Sequence, residues 1–311
     1  MHYSPAPLHI PENFLSITVS IVCWLLTAIV LSVAISRTNR SLGERQVPLM
    51  GVMAAFIFAA QMINFPVVGG TSGHLLGGVL AAITLGPWAG MLVMTAVIAV
   101  QALLFQDGGL LVMGANILNM GLVTVAIGYG LYRGVSNGNR AVKLTVAGIA
   151  AWLSVIAGAL FTSLQLWLSG YAKLQIVIPA MLGIHALIGI GEALITVAAL
   201  AFILQSRPDL LGENSESAKG SRGWVIAGAL VSLVVVLLSP LASSDPDGLE
   251  SVASNLGLMQ LAGNAPYELL PDYTLPFLGE TSASTMIAGV IGILVVGAII
   301  VLLGQGMKAK S

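Results

Sequence analysis

Residues 7–31 read PLHIPENFLSITVSIVCWLLTAIVL: a histidine at position 9, an acid at position 12, then an uncharged run that lasts until Arg37. A helix rises about 1.5 Å per residue, so about 20 apolar residues cross a hydrocarbon core of roughly 30 Å. The run is long enough to cross. It lacks a basic stretch before it and a clear small-residue cleavage pattern after it, and Arg37, Arg40 and Arg45 follow instead. The reading is a retained membrane helix with the N-terminus outside, not a signal peptide.

The rest of the chain repeats the pattern. Of the 311 residues, 57% are hydrophobic and 8% charged, with mean hydropathy +0.96; soluble domains are about 25% charged. Apolar segments at 13–36, 47–66, 73–86, 88–106, 109–132, 143–169, 174–205, 224–242 and 284–304 predict an all-α polytopic membrane protein of about nine crossings. The third segment is short, and Gly86–Pro87 punctuates its end. With the N-terminus outside, eleven of the 12 Lys and Arg residues fall in inner loops and only Lys173 falls outside, as the positive-inside bias requires. The single cysteine, Cys23, sits within the first run, so there is no disulfide framework; lipid-facing or packed positions both suit it.

Residues 206–223 (SRPDLLGENSESAKGSRG) lack an apolar period and read as a cytoplasmic linker. It divides a seven-helix body, 1–205, from a two-helix unit, 224–311, whose outer loop holds Asp245, Asp247, Glu250, Glu268, Asp272 and Glu280 without a basic residue. A one-sign loop would concentrate cations at a site entrance; it is equally what an outer loop looks like when it merely avoids Lys and Arg. Small residues in GGTSGHLLGG, GANILNMG and GIHALIGIGEALIT let helices approach closely, predicting a compact bundle rather than a wide pore.

There is no phosphate-cradling G-x-x-x-x-G-K-[ST] loop, no H-E-x-x-H helix and no serine–histidine–acid arrangement, so a self-powered enzyme is not expected. Polar residues at membrane depth are expensive, and each is a candidate site. His74, after VVGGTSG, and His9, ahead of the first helix, are expected at one membrane face. Two imidazoles there suit a divalent ion of the nickel, cobalt, copper or zinc group. Asn64, Asn116 and Asn119 could support those imidazoles or satisfy backbone freed near glycine. His185 and Glu192, seven apart on one helix face, could relay protons, bind a cation, or fix packing across the bundle.

These motifs resemble a known family. HIPENFL is similar to the MHIPDGFL start of the CbiM/NikM family, the substrate-binding membrane components of energy-coupling-factor transporters for cobalt and nickel. GGTSGHLLGG, GANILNMG and HALIGIGEALIT resemble three further blocks in the same order, over about residues 8–205. The tail resembles the PDGLE domain, related in role to CbiN/NikN accessory subunits, with PDGLE itself at Pro246–Glu250 and DYTLP following. The resemblance implies several things. Co2+ or Ni2+ would be a transported substrate, with no tightly bound cofactor. A transmembrane coupling protein of CbiQ/NikQ type and cytoplasmic ATPases of CbiO/NikO type would supply the energy. Membrane lipid would surround the chain, in a prokaryotic plasma membrane, and no nucleic acid would be a partner.

Family members hold the metal through the terminal amine, the amide and imidazole of the next histidine, and a second histidine from a later loop. Those roles carry onto His9 and His74. Here, however, seven residues precede Leu8. Either translation starts at Leu8, restoring an amine beside His9, or Met1 and His2 supply the chelate and His9 moves to a supporting role; the first is favoured because HIPENFL abuts the first helix as the family motif does. A proton-coupled secondary transporter using His185 and Glu192 is the alternative function, and a metal-sensing or assembly protein is a third.

Overall fold

A computed structural model describes residues 9–43, 45–211, 223–263, 267 and 269–308. The ten helices used below are α1 Ile17–Ser41, α2 Gln46–Gln61, α3 Gly78–Leu85, α4 Pro87–Phe105, α5 Met113–Val135, α6 Arg140–Leu168, α7 Leu174–Ser206, α8 Gly223–Leu237, α9 Gly248–Asn255 and α10 Ser282–Lys308. Seven helices among the described residues are long and apolar enough to span a bilayer, so the protein is a multi-pass membrane protein. Local chemistry sets several starts. Ser16 caps α1 by accepting the Val19 N–H, Asn139 caps α6 by accepting the Val142 N–H, and Pro87 opens α4 where its missing donor costs nothing.

The second and third predicted crossings are where the structure departs from the sequence reading. α2 stops at Gln61 rather than 66, and α3 is only 8 residues, about 12 Å of helix. Between them lies an antiparallel hairpin, β1 Phe65–Val67 with β2 Thr71–Gly73, a small sheet in a fold expected to be wholly helical. The reason is local: Pro66 cannot continue a helix, and Gly69 and Gly70 adopt φ of 99° and 71° to turn the chain. The third segment is therefore irregular over residues 74–77, ending at Gly77 with φ of 80°, and helical only in α3. Irregular backbone is tolerated at this depth when protein surrounds it, and Thr71–Leu75 are all buried. At its far end the Leu85 carbonyl accepts from Gln46 Nε2 at 3.4 Å.

Two ends of the bundle are defined by side chains. At one, Asp209 joins Arg45 (3.1 Å) to Arg207 (2.8 Å), and Arg140 donates to the Ala201 carbonyl at 3.0 Å; this is the basic, inner end. At the other, the Ser16 N–H donates to Ser169 Oγ at 3.0 Å and the Ser243 N–H to the Asn64 carbonyl at 2.7 Å.

The C-terminal helices are not an appendage. α8 and α10 close over α2: a Cβ on Gly292 would lie 2.1 Å from the Phe58 ring, and one on Gly228 would lie 2.3 Å from Val52. Only glycine permits that approach. Cys23 is packed inside the body rather than facing lipid.

Candidate metal centre

Each outer-face segment is pinned before any side chain is aimed. Asn116 clamps the chain beside His9, its Oδ1 accepting the Ile10 N–H at 3.0 Å and its Nδ2 donating to the Ile10 carbonyl at 3.2 Å. Glu12 accepts the Leu111 N–H through both oxygens, at 3.3 and 3.2 Å. Asn116 and Asn119 sit at the start of a π-helical stretch, Ile117–Val123, that widens α5; such bulges are frequent at functional sites. Asn119 is engaged with α6, exchanging hydrogen bonds with Gln165 at 2.8 Å each and donating to Thr162.

The two predicted histidines meet. Their ring centroids lie 5.9 Å apart with 31° between planes, and both line one cavity of about 80 Å³. His9 is buried, with Nδ1 2.7 Å from Asp107 Oδ1 and Nε2 without a partner among the described residues. His74 Nδ1 donates to the Leu75 carbonyl at 3.0 Å. A carbonyl only accepts, so this tautomer carries its lone pair on Nε2. The chelate implied by the resemblance closes a ring from the His9 amide through Nδ1. Here Nδ1 is bonded to Asp107, and Nε2 is the nitrogen His9 offers. Met1, His2 and Leu8 lie outside the described residues, as do Glu268, Lys219, Arg222 and Lys310.

Asp107 and Tyr273 are functional candidates the sequence reading missed. Asp107 Oδ2 accepts the Tyr273 hydroxyl at 2.6 Å. Burial alone would raise the Asp107 pKa, but the adjoining His9, hydrogen-bonded to it, and the Tyr273 hydroxyl outweigh it and hold it below the usual carboxylate range. Burial, then the Asp107 charge, push the Tyr273 phenol well above its ordinary value. The available signal was FQDGG itself, a lone acid between two long apolar runs.

The acids of the outer loop differ in placement. Asp245 and Glu280 are exposed, whereas Asp247 is buried and lines the cavity. Its Oδ1 caps α9 by accepting the Glu250 N–H at 2.7 Å, and burial raises its pKa. The motif at Pro246–Glu250 roofs the site. The Pro246 carbonyl accepts the Ser72 N–H at 2.8 Å, covering the free edge of β2, and a Cβ on Gly248 would lie 2.6 Å from Ile188 Cδ1.

The other candidates disperse. His185 lines the cavity but gives Nδ1 to the Met181 carbonyl at 2.8 Å. Glu192 is fully buried and accepts the N–H groups of Leu76 (2.6 Å) and Gly77 (3.0 Å), at the start of α3. Asn64 is not among the cavity-lining residues; its carbonyl holds Ser243.

The chain is thus a multi-pass helical bundle in which two buried imidazoles, His9 and His74, border one cavity. The chain belongs to the CbiM family, described as the cobalt uptake substrate-specific transmembrane region, which it matches over residues 9–210; residues 222–309 match the PDGLE domain. A protein of Archaeoglobus fulgidus assigned as a fused nickel transport protein, NikMN, is 38% identical over 93% of this chain and 95% of its own. The fused nickel transport protein NikMN of Rhodobacter capsulatus is 31% identical (82% and 80%), and the cobalt transport protein CbiM of Geobacter sulfurreducens 30% (74% and 68%). A solved transition metal transporter superposes with TM-score 0.59 at 34% identity, covering 68% of this chain and all of that one; a truncated transition metal transporter gives 0.57 at 36% (63% and 98%).

Proposed function

We propose that this chain is the substrate-capturing membrane component of an ATP-driven uptake system for Co2+ or Ni2+, taking the ion from outside through His9 and His74. A transmembrane coupling protein and paired cytoplasmic ATPases supply the energy, and the metal is cargo rather than a resident cofactor. Residues 1–205 form the metal-binding unit, 206–223 the linker, and 224–311 the accessory unit.

The observation that carries this reading is the convergence of His9 and His74 on one cavity. The centroids lie 5.9 Å apart, within the upper limit of roughly 6 Å set by a metal–nitrogen bond of about 2 Å on each side plus the rings' half-widths. Nitrogen donors suit late first-row divalent ions. Rigid small-residue packing fits a body that tips as a unit to release its ion inward, rather than a gated pore.

The test is cellular uptake of labelled cobalt and nickel with partner proteins co-expressed. Uptake of one metal that needs the ATPases and is lost in His74→Ala is the expected result. Uptake that persists without any ATPase and collapses with a protonophore would move the protein to the proton-coupled class.

A further inference from the structure

Asp247 is an acid that the C-terminal unit delivers into the capture cavity. The backbone at 245–247 lies against β2: Ser72 and Asp247 pair in parallel, and the Pro246 carbonyl accepts from the Ser72 N–H at 2.8 Å and from Thr71 Oγ1 at 2.9 Å. Ser72 Oγ donates to the Asp245 carbonyl at 2.8 Å. β2 runs directly into His74, so the segment that carries the acid is held in register with the segment that carries the histidine. Gly248 lets the chain press inward. A Cβ there would lie 2.6 Å from Ile188 Cδ1 and 2.9 Å from His185 Cε1, so a side chain would push the roof off α7.

The fold uses only half of this carboxyl. Asp247 is 4% exposed, and its Oδ1 caps α9 by accepting the Glu250 N–H. Among the described residues its Oδ2 has no hydrogen-bond partner, and no Lys or Arg pairs with it. A buried carboxylate without a cation is costly. A buried cation has the mirror-image need. Neutral imidazoles donate lone pairs but no charge, so a divalent ion held by them keeps its full charge away from water. Asp247 is the acid among the described residues that line the cavity.

Geometry sets how the acid can act. Among the described residues no three His, Cys, Asp or Glu side chains stand close enough to hold one ion together, so Asp247 is not a further direct ligand beside the imidazoles. The cavity of about 80 Å³ has room for an ion with bound water, one water needing roughly 10–15 Å³. Water bound to a cation donates to an acceptor, and a carboxylate oxygen is one.

We propose that Asp247 is the counter-charge of the capture site: its free oxygen accepts from water on the ion and offsets the ion's charge, so the C-terminal unit raises the affinity for a divalent cation that it does not ligate. This rests on the reading of the His9–His74 cavity as the place of capture, and holds whichever nitrogen of either ring takes the ion. The charge is separable from the cap. Asn and Ser cap a helix about as well as Asp, and neither carries a charge.

The experiment is calorimetric titration of Co2+ and Ni2+ into the purified full chain, with melting curves of the metal-free protein and the visible ligand-field band of bound Co2+ read alongside. Asp247→Asn and Asp247→Ser are each expected to bind about 10–100-fold more weakly than wild type, the cost typical of outer partners at metal sites. Their metal-free melting points should match wild type, and the Co2+ band should stay in place because the direct ligands are unchanged. Wild-type affinity in both variants overturns the proposal, because capping and roofing are then all that Asp247 does. Weaker binding that comes with a fallen melting point in both, or with a shifted Co2+ band, overturns it as well: the loss is then that of a loosened roof or of a direct ligand. His74→Ala keeps the two readings apart. If it abolishes binding while both Asp247 variants bind like wild type, the capture reading stands and the counter-charge alone falls. If it binds like wild type, the ion sits elsewhere and both readings fall.

Discussion

His9 and His185 are both histidines bordering the same cavity. Their fates differ. His9 meets Asp107 from 98 positions away, and its Nε2 is left buried without a partner among the described residues. His185 and Glu192, seven apart on one helix, do not bond to each other: the imidazole binds the Met181 carbonyl, and the carboxylate binds the Leu76 and Gly77 N–H groups. The lesson is about what an intramembrane acid is for. Where a crossing segment abandons the helix, its orphaned donors need an acceptor that water cannot supply, and Glu192 is that acceptor. Asp107 instead meets an imidazole and a phenol, His9 and Tyr273.

That contrast can be broken at several points. The largest effect is expected at the outer pair: His9→Ala or His74→Ala should reduce Co2+ or Ni2+ affinity by more than the roughly 10–100-fold that outer partners cost, measured by titration on the purified chain. Next comes Glu192. In Glu192→Ala the buried Gly77 N–H and the half-buried Leu76 N–H lose their acceptor, at up to about 1–3 kcal/mol each, so thermal stability should fall sharply. In Glu192→Gln a carbonyl oxygen remains, and metal uptake per folded molecule should be largely kept. Loss of uptake in a well-folded Glu192→Gln would restore the proton relay. A smaller effect is expected for His185→Gln, which removes a cavity wall group but no proposed donor; its affinity should stay within a few-fold of wild type.

The smallest effect concerns acid. The Arg207 hydrogen bond, opposed by burial and aided by the charges of Arg207 and Arg45, lowers the Asp209 pKa to about 2. A carboxyl depressed in the fold contributes stability that is present above its unfolded value of about 3.9 and lost as pH falls through about 2. The inner-end cluster should therefore be unchanged between pH 7 and 5. Metal affinity should nevertheless fall across that interval, because protons compete with metal for imidazole nitrogen. Parallel titrations and melting curves at both pH values separate the two ends.

Much of this was legible beforehand. Long uncharged runs announce spanning helices, and the basic residues order them. The shortness of the third segment was visible in Gly86–Pro87, though the hairpin at 65–73 was not, because three-residue strands leave too little periodicity. His9 and His74 stood out because GGTSGH and HIPENF break the apolar pattern beside a histidine. Asp107, Tyr273 and the roofing role of Asp247 were hidden for one physical reason: their partners lie far away in sequence, 166 positions for Asp107 and Tyr273. Spacing rules read one helix or one turn, and a contact closed by tertiary packing leaves no local period.

Whether the imidazoles of His9 and His74 take the ion is tested most directly by X-ray absorption at the metal edge of the purified full chain loaded with Ni2+. Imidazole outer-shell scattering, reduced in His74→Ala and again in His9→Ala, is the result this account expects. A spectrum without imidazole scattering, or one indifferent to both substitutions, would contradict it.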